Sequence, residues 1–332
     1  MSKSTRATAL KIFVALLLLG GAIALNRQEF AKVLRRSPDP WSLLGGFALY
    51  WMGTFLGFTR WYVLARMLDL PIKYREALKL GFIAHFFNIL IPGAVGGEVI
   101  RAGYACREVE RKDRAIASVV LQVVFNILGL FSLAAIVGIA GWKRLGNVEH
   151  RLVGFVVGGL FVCSIGLTLW LFPSRKTRGL LLKGERLNDS IATSNLARKR
   201  WIWLAVALGM ATLSHTANVF AFERVAHAFY KDVPTLADHF LFVPLILFST
   251  AFPLPMGALG VSEAISGRLL RIAGFQGGAV VMMGYRLLQY GAACMSGTVY
   301  IANREQARDA IAAGRGLMSK RKPIKPPAET VR

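Results

Sequence analysis

Acidic residues are scarce in this chain: 18 Asp and Glu stand against 41 Lys and Arg, for a formal net charge of +23. Cysteine is scarcer still. The three present (Cys106, Cys163, Cys294) have no short spacing, and two lie inside apolar runs, so a disulfide framework is excluded. No C-x-x-C, H-E-x-x-H, Walker lysine loop or G-x-G-x-x-G occurs, which removes the usual metal, nucleotide and dinucleotide readings. Only 18% of the 332 residues are charged, while 55% are drawn from AVILMFWYC. The apolar residues gather into runs of roughly 20, the length a bilayer core requires. The basic excess is not interleaved with aromatics on a soluble module, so nucleic acid is not expected as a partner. The composition is that of an integral membrane protein.

Six stretches are long and apolar enough to span, at about 8–25, 41–66, 115–141, 152–173, 201–223 and 278–302. The first follows Lys3 and Arg6 and ends near Ala22-Ile23-Ala24. Its length favours an uncleaved signal anchor over a cleaved leader. Two further apolar stretches, 78–102 and 240–270, carry Pro and several Gly in their middles. Irregular backbone at membrane depth is tolerated only where protein or a water-filled cavity covers it. Each therefore reads as a broken, re-entrant helical hairpin.

Orientation follows from the basic residues. With six spans and two hairpins, both termini and the insert 174–200, with its eight Lys and Arg, face the cytoplasm. Eight full spans, the alternative, would place that insert outside. The fold expected is an all-α polytopic membrane domain over 1–305, with a basic, disordered tail over 306–332. The first hairpin enters from the cytoplasm and the second from outside. PGAVGGE, Pro92 to Glu98, echoes PMGALGVSE, Pro255 to Glu263. Repeats of opposite topology are a common way to build a central transport site.

Polar residues inside spans are costly in lipid and mark candidate sites. Arg60 is placed either to snorkel toward headgroups or to face the interior, whereas Arg286 lies deeper and is expected to hold a lipid phosphate or to pair with an acidic residue, Glu263 or Glu98. Glu98 and Glu263 start the short helix after each break, where a carboxylate complements free N–H groups, binds a proton, or pairs with an arginine. Arg101 stands one turn beyond Glu98, at the spacing of an ion pair. Gly93, Gly96, Gly97, Gly257 and Gly260 allow backbone angles and close approaches that other residues do not. His85 with Asn88, and His215 with Asn218, read as interhelical hydrogen-bonding groups. Ser214 and His215 are adjacent, so they project apart on a helix and make no nucleophile–base pair. No catalytic, metal or cofactor site emerges, and an enzyme is not expected.

Three stretches carry a resemblance. NILIPGAVGGEVIRAGY is similar to the N-x-l-l-P-x-x-x-G-G-[DE]-x-x-R motif of the lysylphosphatidylglycerol synthase transmembrane, flippase-like family. FPLPMGALGVSEA resembles its second motif, with Ala258 where a doubled glycine would fall. GYRLLQY, with Tyr285 and Arg286, resembles the segment that follows, and Arg60-Trp61 fits the same pattern. Where relatives often carry an acidic-Arg pair after the first motif, this chain has Gln122-Val123. The family's aminoacyl-transferase domain is not expected here. The resemblance implies a bacterial inner-membrane protein that moves a phospholipid or polyprenyl-linked lipid, anionic or zwitterionic, between leaflets. Asn88, Pro92, Gly93, Gly96, Gly97, Glu98, Arg101, Pro255, Gly257, Gly260, Glu263, Tyr285, Arg286 and Arg60 would then line its cavity. The alternative is a non-transporting scaffold or regulatory partner of a separate envelope lipid- or glycan-modifying enzyme.

Overall fold

The computed structural model describes residues 37–90, 96–108, 112–140, 142–144, 147–171, 193–250 and 260–303. The first expected span, most of the insert 174–200 and the tail lie outside these residues. So do Pro92, Gly93, Pro255 and Gly257. Nine long helices account for almost all of the described chain. They are α1 (Pro40–Met67), α2 (Tyr74–Leu90), α3 (Gly96–Glu108), α4 (Lys112–Ala140), α5 (Asn147–Leu171), α6 (Trp201–Phe229), α7 (Leu236–Ser249), α8 (Val261–Ile272) and α9 (Gly278–Ala302). No strand occurs among the described residues, and the all-α expectation holds.

Helix ends follow local chemistry. Asp39 caps α1, accepting bonds from the Trp41 and Ser42 amides and from the Ser42 hydroxyl, and Pro40 opens the helix. Those bonds, led by Ser42, hold the Asp39 carboxyl below its usual range. Thr235 and Asp238 close a capping box at the start of α7. Lys112–Ala140, Val153–Leu171 and Trp201–Phe229 are long and apolar enough to cross a bilayer. Helix α1, at 28 residues, and α9, at 25, have the length as well but are less uniformly apolar. Most of α5 presents apolar side chains outward, among them Phe155, Phe161, Val162 and Leu169. A helix apolar around its whole circumference suits lipid on one side and protein on the other.

The most extensive packing joins α1 to α6. The two run antiparallel: Asp39 N–H bonds the Ala228 carbonyl, Gly46 lies on Ala221, and Gly53 lies on Ser214. Around this pair the remaining helices form two like units, α1–α4 and α6–α9. Helices α2 and α3 pack together, as do α7 and α8, and α3 meets α4 as α8 meets α9. The units also interlock. The first arm of each broken stretch lies on the other unit's last helix, α2 on α9 and α7 on α4.

Two main apolar cores form, each centred on one unit and completed by side chains of the other. One gathers Trp61, Leu64, Ile100, Tyr104, Leu121 and Leu204; the other gathers Tyr50, Phe222, Phe242, Leu270, Val281 and Tyr285. Exchanging the two units maps each of these helix packings onto another. Only the contact of α5 with α4 has no counterpart among the described helices.

Candidate functional site

Each unit carries a glutamate in the first turn of its short second arm, Glu98 in α3 and Glu263 in α8. The backbone around them is tightly built. Gly97 lies so close to α2 that a Cβ there would collide with the Ala84 backbone. Its amide donates to Asn88 Oδ1 at 2.8 Å, so Asn88 caps the arm that follows it. In the second unit Gly260 holds φ at +86°, a left-handed value that favours glycine. Its amide donates to Glu263 Oε2 at 2.6 Å.

In the second unit, Arg286 of α9 reaches across to α8. Its Nε donates to Glu263 Oε1 at 2.5 Å, and its Nη2 donates to Ser262 Oγ. Glu263 is 0% and Arg286 2% exposed. Both glutamate oxygens are therefore bonded, and the two charges cancel. Of the two options for Arg286, a lipid phosphate or an acidic residue, the structure shows the acidic pairing, with Glu263 rather than Glu98. Beside them Tyr285 is buried, donates to Asn218 Oδ1 at 3.2 Å and meets Tyr50 edge-on.

The first unit is wired differently. Glu98 pairs with Arg101 on its own helix, Oε1 to Nη1 at 2.7 Å, and the Arg101 guanidinium lies 5.7 Å from the centre of the Trp61 ring. On α4, at nearly the chain distance that separates Glu263 from Arg286, stands the neutral Gln122. The charge that Gln122 lacks comes from α1. Arg60 donates through Nε to Gln122 Oε1 and through Nη2 to Asn126 Oδ1, both at 3.0 Å. It is 2% exposed, so the snorkelling option does not apply. Gln122 in turn donates to the Gly57 carbonyl, and His215 Nε2 meets the Asn126 carbonyl at 2.9 Å. His85 Nε2 lies 3.4 Å from the Tyr50 hydroxyl. The histidines and asparagines thus tie helices together, as their placement in the sequence suggests.

The expected charged residues are therefore gathered into two buried clusters, one per unit, while Pro92, Gly93, Pro255 and Gly257 lie outside the described residues. A cavity of about 540 Å³ lies elsewhere, lined by Arg66, Asp69, Leu70, Pro71, Arg200 and Trp203. Asp69, at a positive φ of 57°, accepts from Arg200 at 2.6 Å and lies 3.6 Å from Arg114. It joins the ends of α1, α4 and α6. This knot leaves no trace in the sequence, because its three members are far apart in the chain and each is ordinary in its surroundings. Among the described residues no group of three or more His, Cys, Asp or Glu could hold a metal ion.

Comparison with known proteins adds three findings. The family profile described as lysylphosphatidylglycerol synthase TM region matches residues 8–297. A UPF0104 membrane protein of Methanothermobacter thermautotrophicus is 26% identical over 282 residues, covering 74% of this chain and 78% of that protein. No solved structure matches.

Proposed function

This chain belongs to the lysylphosphatidylglycerol synthase TM region family and is a multi-pass membrane protein, and from that premise we propose that it moves a lipid between leaflets. The observation that carries the reading is the pair of buried charge clusters, one in each of two interlocked units, both built where a broken apolar stretch resumes as helix. Buried charges on lipid-depth helices are expensive and usually serve a substrate path. Two units packed about an antiparallel pair are also the arrangement in which one site is served from both faces in turn.

In this reading α2–α3 and α7–α8 are re-entrant hairpins entering from opposite sides, and the movement involves no covalent chemistry. The cargo is a phospholipid or polyprenyl-linked lipid. The setting is the bacterial inner membrane, with both termini cytoplasmic, and a separate envelope enzyme supplies or consumes the lipid. The test places the purified full chain in vesicles holding a headgroup-labelled phospholipid, with a quencher added outside. Quenching should proceed past the outer-leaflet fraction. A plateau equal to that of protein-free vesicles, for anionic and zwitterionic lipids alike, would overturn the proposal.

A further inference from the structure

The two clusters differ in charge and in completeness. In the second, Arg286 and Glu263 cancel, and neither they nor Ser262 leaves a buried polar atom without a partner. The first holds two buried arginines, Arg60 and Arg101, but one carboxylate, Glu98, which pairs with Arg101. The partners of Arg60 are the neutral Gln122 and Asn126, so the cluster carries a formal charge of +1. It also has spare bonding capacity. Arg60 Nη1, Arg101 Nε and Trp61 Nε1 are buried donors without partners, and Glu98 Oε2 is a buried acceptor without one. A buried, uncompensated positive charge with three idle donors is costly and calls for an anion.

We infer that the first unit's cluster receives the headgroup, and that it takes a singly anionic phosphate ester bearing a hydroxyl group. This rests on the translocation reading and assigns its substrate class. One phosphodiester charge cancels the +1, and its oxygens accept from the three donors. A hydroxyl beyond the phosphate donates to Glu98 Oε2. A zwitterionic headgroup also satisfies Glu98, through its ammonium, but that ammonium returns the cluster to +1. An aminoacylated headgroup of net positive charge fits worse. The second cluster, with nothing left to bond, holds α8 against α9 and takes no ligand.

The test is native mass spectrometry of the full-length chain with phosphatidylglycerol, phosphatidylethanolamine and lysyl-phosphatidylglycerol in competition. Phosphatidylglycerol should be retained over each of the others by roughly tenfold, a ratio in the range that matched buried charges contribute. Soluble glycerophosphoglycerol should not displace it; displacement would overturn the assignment to a lipid. Two variants neutralise the cluster by different routes. Gln122→Glu adds the missing negative charge, and Arg60→Met removes the surplus positive one while filling similar space. Each should erase the preference while the melting temperature holds or rises, because neither leaves a charge unmatched. Equal retention of the three lipids by the unaltered chain, or a preference that survives both variants, would overturn the inference. Lipid movement indifferent to headgroup charge would sink this assignment and leave translocation standing. A clear preference without any movement would do the reverse.

Discussion

Arginine at membrane depth is ambiguous in a sequence, and Arg60, Arg101 and Arg286 show why. Arg101 was legible, because its partner lies three residues away on the same helix. Arg286 was legible as a buried group, and its choice of Glu263 over Glu98 depends on α8 packing against α9. Arg60 was not legible, since its partners Gln122 and Asn126 lie more than sixty residues away and are neutral. The Arg286 pairing has a direct consequence. Arg286→Leu leaves the Glu263 carboxylate, 0% exposed, without its counter-charge. Breaking one side of a buried pair costs about 3–5 kcal/mol, so protein abundance and melting temperature should both fall sharply. Adding Glu263→Gln to that variant should restore part of both. Normal abundance in Arg286→Leu alone would show that the pair is not structural.

At the scale of elements, the helical spans were the clearest part of the sequence, because long apolar runs have few other uses. Their ends were harder to place. Helix α6 continues to Phe229, past the expected end at 223, because Val225, Ala226 and Ala228 still find apolar cover. The interrupted stretches resume as α3 and α8, with Glu98 and Glu263 in first turns as expected, while the interruptions themselves fall outside the described residues. Gly97 lies against the Ala84 backbone, the close approach that a glycine in the motif suggests. Gly97→Val should therefore prevent α3 from seating on α2 and remove most folded protein. Gly154→Val in α5 is the control, since a Cβ there meets nothing within 4 Å and folding should be unaffected. Detergent-extracted yield and size-exclusion profile read both. A folded Gly97→Val protein would mean that α2 and α3 separate without loss.

The whole molecule was legible only as a hint, in the echo of PGAVGGE by PMGALGVSE. The interlocking of the two units was not, since which helix lies on which is decided by packing between segments more than a hundred residues apart. The Asp69 knot belongs to the same class of unreadable features. That arrangement is the frame of the account: two like units, opposite in orientation, sharing an antiparallel α1–α6 pair. It places the turn after α1, at Lys73, and the matching turn after α6, at Asp232, at opposite ends of that pair. The measurement that tests this most directly is thiol labelling of Lys73→Cys and Asp232→Cys, in a chain whose three native cysteines have been replaced. In intact cells an impermeant reagent should label position 232 and spare position 73, with both labelled once the membrane is opened. Labelling of both positions, or of neither, in intact cells would put the two turns on one face and contradict the account.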